Sequence, residues 1–525
     1  MFEVRDLDLS ARIGRIRTNH GEIETPAFLP VIHPVKQSIH PELIKKMGFD
    51  AVMTNSYITL KRYGDTAIER GIHSIIDFDG AVMTDSGGYQ VLEYGDVDTN
   101  PLEVANFQES IKSDFAIILD RPTGVKSNWD DAEQSVIKTL ESCKLTLDNL
   151  EERHSIWIGP VQGGRHLDLV NLSARKVSEM DFDMFALGSP TEVMERYDFA
   201  LLAEMIIAAK NSLPVEKPFH LFGLGHPLPL SLAVALGCDT FDSASYMLYA
   251  RNNRYMTENG TKRIDDLEYL PCACRMCSLH SIEDIRTMEP DEKETTIAMH
   301  NLYMLKKEVE ATKQAIREGR LWEYVGVRAR AHPNLWAAFE IMAKNSSLFE
   351  SYTPSFKSKG LMLSSYPDNL RPEITRYSNR IIEYLNSIRD RPLLIIPEGY
   401  TKPFLSSSLF DKSIKELIDS QPITIGYISM GLGFVPGELS DIYPLSQIVA
   451  TKSLESDPRI VDDTMIKLKR QMDALAPTKR FLVEDRRLAD GVRSLLRNVV
   501  NPYLTFSLKS GRELSDHLVT IKSSL

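Results

Sequence analysis

The chain has 525 residues, 43% of them hydrophobic and 26% charged, with a formal net charge of −12 and a sequence pI near 5.6. That length predicts more than one domain, and the acidic balance excludes a chain coated in positive charge for indiscriminate nucleic-acid binding, though not a local basic face. No apolar run is long enough to span a bilayer, Met1–Ser10 lacks a signal-peptide core, and there are only five cysteines, which together predict a reducing, cytoplasmic setting.

From Ala27 onward, short apolar runs with polar or Gly-rich exits alternate with helical patterns. Eight strands are predicted: Ala27–Val31, Ala51–Thr54, Ala81–Thr84, Phe115–Leu119, Ile156–Val161, Met184–Leu187, Phe219–Phe222 and Asp239–Phe241. The clearest helix is Asp131–Glu152, with Ile137, Leu140, Leu147 and Leu150 as its apolar stripe. Ala200–Asn211 and Leu228–Leu236 are others. Eight strands alternating with helices predict an α/β fold, a (β/α)8 TIM barrel, with an open doubly wound sheet as the alternative.

In a barrel, the residues just past the strands' C-terminal ends meet at one mouth. Here those are His33, Asn55, Asp85 with Ser86 to Gln90, Asp120, Gln162-Gly163-Gly164, Gly188-Ser189, Gly223 to His226, and Asp242. One Asp at a strand exit is commonly a cap or turn residue. Three on separate exits, among glycines that let backbone N–H groups approach a planar ligand, predict a site.

The stretch Tyr246–Arg263 is rich in Arg, Tyr and Asn with little apolar periodicity. It suits an exposed surface for phosphates and stacked bases, or simply a solvated loop. Next comes a C-x-C-x2-C clip, Cys272, Cys274 and Cys277; Cys143 and Cys238 stand alone. Three clustered thiolates argue against a disulfide framework and for one tetrahedral ion, with zinc the usual choice. A reduced, unliganded loop is the alternative. His280 and His300 both lie within reach as a fourth ligand, and spacing does not choose between them. Four protein ligands would leave no open position, so the ion would brace the fold.

A long helix is predicted from about Glu294 to Glu318, and another from near Pro333 that includes Trp336. Polar residues and a proline at Lys344–Lys359 mark a boundary. Beyond it, Leu393–Ile396 and Ile423–Ile428 read as buried strands, and Pro372–Leu385 and Asp462–Leu475 as helices. The expected organisation is a catalytic barrel with its metal clip over 1–344, an α/β domain over 345–479, and a short final segment 480–525 with one helix, Asp485–Asn498, and a polar tail.

The motifs Thr84–Gln90 (TDSGGYQ), Ser113–Asp120 (SDFAIILD), Val161–Gly164 (VQGG), Ala186–Ser189 (ALGS), Phe241–Tyr246 (FDSASY), Arg254–Arg263 (RYMTENGTKR) and the Cys clip resemble, in order and spacing, the tRNA-guanine transglycosylases over residues 1 to about 340. FDSASY and RYMT favour the archaeal branch that makes the archaeosine precursor over the bacterial queuosine enzymes. The resemblance implies exchange of guanine in tRNA for a 7-deazaguanine with the backbone intact, with Asp242 preferred as nucleophile over Asp85 of the D-S-G-G motif. Asp242 would attack ribose C1′ and form a covalent intermediate, because a carboxylate can attack and leave again. Asp85 would give a proton to departing guanine and take one from the incoming base, which needs a raised pKa. Asp239 is the internal rival to Asp242; on a strand it would face the opposite way.

Asp120 would accept from the N1–H and 2-amino edge of the purine, Tyr89 would stack on it, Gln162 would reach O6, and Gly188 and Ser189 would supply backbone contacts. The pocket must also flip guanine out of the tRNA. The resemblance selects His300 as the fourth ligand and makes the zinc structural. It implies preQ0 (7-cyano-7-deazaguanine) as incoming base, guanine 15 of the dihydrouridine loop as target, and a homodimer using the zinc region. Archaeal members commonly end in a PUA domain; residues 354–447 resemble the first accessory domain, whereas the stretch after Arg480 lacks a PUA-like β pattern, so either that module is absent or a separate PUA-containing partner provides it. Competing readings are a queuosine-type enzyme acting at the anticodon, a non-catalytic tRNA-binding subunit, and a zinc hydrolase.

Overall fold

The computed structural model describes residues 2–88, 100–151, 153–396, 419, 422–485, 490–508 and 513–525. The chain forms two compact units, Met1–Met342 and Ala343–Leu525.

The first 25 residues, which sequence patterning left unassigned, fold into an antiparallel three-stranded sheet: β1 (Phe2–Asp8), β2 (Ala11–Thr18) and β3 (Gly21–Thr25), in that order. Its inward face carries Ile16 and Ile23, which join Leu29, Met53, Met83, Ile117 and Ile158 in one buried cluster. The sheet thus plugs the barrel from below.

The eight predicted strands are all present: β4 (Ala27–Pro30), β5 (Ala51–Asn55), β6 (Ala81–Asp85), β7 (Phe115–Ile117), β8 (Ile156–Val161), β9 (Met184–Leu187), β10 (Phe219–Leu221) and β11 (Thr240–Ser243). They pair in parallel in the order β4-β11-β10-β9-β8-β7-β6-β5. A parallel bridge between Val31 and Met53 links the two end strands. This is the (β/α)8 barrel and not the open sheet. Buried on both faces, the strands read as continuous apolar runs, which is why they were legible.

The helix Trp129–Asn149 forms as expected, but its buried face is Ala132, Val136, Thr139, Cys143 and Thr146. Ile137, assigned to the apolar stripe, is 39% exposed, and Leu140, Leu147 and Leu150 are half-buried. Small residues let the helix lie close to its neighbours, while the larger Leu140 packs at the flank against Val136 and Leu169. The stretch expected as exposed after Tyr246 is also partly inward. Tyr246 is buried and donates its O–H to the carbonyl of Val31 at 2.9 Å. Tyr255 is buried in β12 (Arg254–Thr257), which pairs with β13 (Gly260–Arg263).

In the second unit, β14 (Leu361–Leu363) pairs with β18 (Ile448–Ala450). A five-stranded sheet runs β17-β16-β15-β19-β20, built from β15 (Leu393–Ile395), β16 (Thr424–Ser429), β17 (Gly433–Pro436), β19 (Arg480–Asp485) and β20 (Leu504–Leu508). The segment 480–525 is therefore no appendage. Leu393–Ile395 pairs directly with Arg480–Leu482, and Phe481, Leu482 and Val483 share one core with Leu394, Ile425 and Phe434. Its helices are Asp490–Val500, whose expected first residue, Asp485, instead closes β19, and Glu513–Ser524, which was not foreseen.

Candidate active site and metal centre

The parallel strands deliver their C-terminal ends to one cavity of about 950 Å³. Asp85 closes β6, Asp242 sits in β11, and Asp120 follows β7; all three line it. So do Gln162, Gly188 and Ser189, and the walls include His33, Asn55 and the Gly223–His226 turn. Gly163 and Gly164 do not line the cavity. Tyr89 lies outside the described residues.

Asp85 accepts from Asn55 Nδ2 at 2.9 Å, and its carbonyl accepts from Ser56 Oγ at 2.7 Å. Burial, then the Asp120 and Asp242 carboxylates, push its pKa up to about 7, against opposing hydrogen bonds from Gly87 N–H and Asn55. Such a group gives and takes a proton near neutrality. Burial likewise pushes Asp120 up to about 6, opposed by donation from Gln162.

The orientation of Gln162 follows from its neighbours. Its Oε1 accepts from the backbone N–H of Thr123 at 3.1 Å and from Ser189 Oγ at 2.8 Å. An N–H can only donate, so the amide oxygen faces Thr123 and the NH₂ faces Asp120 Oδ2 at 2.5 Å. Ser189 reaches this position with φ +62°, and its Oγ also accepts from Thr123 N–H at 2.8 Å. Two glycines make room: a Cβ on Gly188 would collide with the Gln162 amide, and one on Gly88 with the Asp120 carboxylate. The result is a slot with a carboxylate acceptor and an NH₂ donor side by side, the complement of a purine edge that carries both donors and an acceptor.

Asp242 accepts from Gly223 N–H at 3.0 Å and from His220 Nε2 at 3.1 Å, both on Oδ1. Asp239, three residues earlier, points away from the cavity. It pairs with the buried Arg12 guanidinium and accepts from Phe219 N–H at 2.8 Å. His226 forms part of the cavity wall; its Nδ1 accepts from Leu228 N–H at 3.1 Å, and burial, with Arg254 and Arg328 nearby, lowers its pKa to about 4. His220, Asn55 in its donor role and Thr123 were not singled out from sequence. A His inside an otherwise apolar strand, F-H-L-F, was the available signal for His220.

Cys272, Cys274, Cys277 and His300 bring their Sγ and ring-nitrogen atoms within 4.8 Å of one another. His300 Nδ1 lies 3.5 Å from Cys274 Sγ and 3.4 Å from Cys277 Sγ, while its Nε2 contacts the Met256 carbonyl at 2.8 Å. That contact fixes the proton on Nε2 and turns the lone pair of Nδ1 toward the sulfurs, as a metal ligand requires. Tyr255 stacks on the His300 ring at 3.5 Å and approaches Cys277 Sγ at 3.0 Å. The donor set fits a metal ion held by four protein ligands. His280 is not part of the cluster. The fourth member of the cluster, His300, is brought in by the helix Pro290–Arg317.

A second group, His20, His73 and Asp114, also gathers, near the N-terminal end of the barrel. His20 Nδ1 and His73 Nε2 each meet a different oxygen of Asp114, at 3.0 and 2.9 Å, and the rings stack at 3.6 Å. Near-parallel rings aimed at separate oxygens do not converge on one ion. We read this as a clasp between the β2–β3 turn and the barrel.

Among the described residues no helix is long and apolar enough to cross a membrane. A family model described as Queuine tRNA-ribosyltransferase matches residues 7–334. The tRNA-guanine(15) transglycosylase of Sulfolobus acidocaldarius is 39% identical over 474 residues, covering 89% of this chain and 92% of that one. That of Methanopyrus kandleri is 38% identical over 451 residues, 85% and 95% of the two chains. That of Aeropyrum pernix is 49% identical over 335 residues, 64% and 65%. The barrel, the acidic mouth and the Cys3His cluster all fall within the matched span, and the chain belongs to the queuine tRNA-ribosyltransferase family.

Proposed function

We propose that this chain is a tRNA-guanine(15) transglycosylase, a pentosyltransferase that exchanges guanine 15 of the tRNA dihydrouridine loop for preQ0. The observation that carries this reading is the convergence of Asp85, Asp120 and Asp242 on one cavity, with Asp85 poised near pH 7. Asp242 attacks ribose C1′ and forms a glycosyl ester. The C1′–N9 electron pair leaves with guanine, which takes the Asp85 proton. In the return step Asp85 accepts the N9 proton of the incoming base, N9 bonds to C1′, and the carboxylate of Asp242 leaves. Asp120 and the Gln162 NH₂ read the two edges of the purine, Gly188 and Ser189 shape the slot, and Tyr89 stacks on the ring.

The Cys3His cluster holds zinc, which ties the clip to the helix Pro290–Arg317 and takes no part in the reaction. The protein works in the cytoplasm as a homodimer through the zinc region. A separate PUA-containing chain helps expose the loop guanine. The retained acids weigh against a non-catalytic tRNA-binding subunit, and four protein ligands weigh against a zinc hydrolase. The names of the relatives favour position 15 over the anticodon.

Incubation with tRNA and preQ0, followed by mass spectrometry of mapped tRNA nucleosides, tests reaction, base and position together. The base is expected at position 15, and Asp242→Asn is expected to abolish the covalent protein–tRNA adduct. Incorporation at the anticodon, or no exchange of labelled guanine under any condition, overturns the reading.

A further inference from the structure

His220 lies in β10, fully buried, one strand away from Asp242. Its ring bridges two groups on β11: Nδ1 contacts Thr240 Oγ1 at 2.8 Å, and Nε2 contacts Asp242 Oδ1 at 3.1 Å. The edge of Phe222 closes the third side at 4.8 Å between ring centroids. Nε2 must carry a proton here, since a bare lone pair facing a carboxylate is repelled. The Thr240 hydroxyl can donate to Nδ1 or accept from it, so the arrangement holds in either charge state of the ring. Gly223 N–H supplies a second donor to the same oxygen at 3.0 Å. Both hydrogen bonds that Asp242 accepts from described residues therefore fall on Oδ1.

We propose that His220 is a positioning residue that holds Oδ1 of Asp242 and leaves Oδ2 as the oxygen that bonds to ribose C1′. This rests on the reading of Asp242 as the nucleophile. In the attack, an Oδ2 lone pair forms the C1′ bond as the C1′–N9 pair departs with guanine. Oδ1 becomes the ester carbonyl oxygen and keeps both donors. In the return step the Oδ2–C1′ pair comes back to the carboxylate, whose charge the same two donors stabilise. His220 touches neither the cavity nor the base. It acts by fixing the carboxylate plane, where a misplacement on the order of 1 Å costs about 100-fold.

The test measures guanine exchange, adduct formation and the melting transition for His220→Leu, His220→Gln, Thr240→Val and the pair Thr240→Val/His220→Leu, with Asp242→Asn as reference. His220→Leu is expected to lower kcat about 100-fold while KM for tRNA and for guanine moves less than about threefold. His220→Gln, whose amide can place a donor near the old Nε2, is expected to recover roughly tenfold of that loss. Thr240→Val is expected to lower kcat several-fold alone and not at all beside His220→Leu, because the two share one path. A kcat for His220→Leu within about threefold of the parent, or a Thr240→Val effect equal in both backgrounds, overturns the proposal. Should His220→Leu not fold, a parental kcat for Thr240→Val overturns it instead. An adduct surviving in Asp242→Asn removes the nucleophile reading and this proposal together. A dead Asp242→Asn with a fully active His220→Leu removes only the latter.

Discussion

The raised pKa of Asp85 has a cost in stability that Asp85→Asn should reveal. An acid whose native pKa is raised holds its proton more tightly folded than unfolded. Its stabilising effect is complete below the unfolded value near 3.8 and is lost as pH rises through the folded value near 7. Between pH 5 and pH 9 the native state crosses about two units of that gap, worth roughly 2.7 kcal/mol at 1.36 kcal/mol per unit. Asp85 keeps part of its surface open to the cavity, so screening lowers the figure to about 1–2 kcal/mol. Asparagine cannot ionise, and the hydrogen bond it forfeits at this site costs the same at every pH. The advantage of Asp85→Asn over the parent should therefore grow from pH 5 to pH 9, by about 2–4 °C in melting temperature for a unit of this size. Tryptophan fluorescence is the appropriate assay, because Trp129, Trp157, Trp322 and Trp336 all lie in Met1–Met342 and report that unit alone. A stability gap that stays flat or shrinks with pH would refute a buried, proton-holding Asp85.

The same group sets a pH profile. Exchange should fall above about pH 7 as Asp85 loses its proton, and Asn55→Ser, which removes a donor to the carboxylate but keeps a residue suited to cap the following helix, should move that limb to higher pH. An unmoved limb in a kcat/KM profile counts against it. Gly188→Ala should push the Gln162 amide off Asp120 and raise KM for guanine about tenfold or more with little change in tRNA affinity, read by steady-state kinetics and filter binding. Cys274→Ala should lower metal content and melting temperature together, with a loss in metal affinity beyond the 10–100-fold that follows removal of a supporting hydrogen bond; unchanged stoichiometry by metal analysis refutes the ligand set. Asp239→Asn should strand the buried Arg12 charge and cost about 3 kcal/mol while exchange per folded molecule persists, measured by denaturation and active-site titration.

The barrel was legible because each of its strands is sealed on both faces and flanked by a polar exit, so the apolar run and the site residue came as one signal. The Cys3His cluster was legible as a spacing plus a likeness; the choice of His300 over His280 lies in the fold, where the helix Pro290–Arg317 carries His300 to the sulfurs and the Met256 carbonyl orients its ring. The N-terminal sheet was not legible: β1 sets few apolar residues among Glu3, Arg5 and Asp6, and β2 buries Arg12 beside Ile13 and Ile16, so neither strand shows a clean apolar alternation. The final segment failed for a related reason. β19 shows just Phe481, Leu482 and Val483 between charged residues, yet it is an inner strand of its sheet, paired with β15 on one side and the edge strand β20 on the other. A three-residue apolar run carries no period, and its burial is set by partners nearly ninety positions away in the chain.

The two acids of G-C-D-T-F-D show how far local geometry can divide function. Asp239 and Asp242 are separated by an odd number of positions along extended chain, so the pleat sends them to opposite sides. The outer one meets Arg12 from β2 and the N–H of Phe219, and ties the plug sheet to the barrel wall. The inner one meets His220 and Gly223 and opens on the cavity. A single insertion between them would place both carboxylates on one face, leaving Arg12 without its partner and crowding a third negative charge toward Asp85. The spacing thus serves stability and site electrostatics at once, and a shift of register in this strand would disturb both.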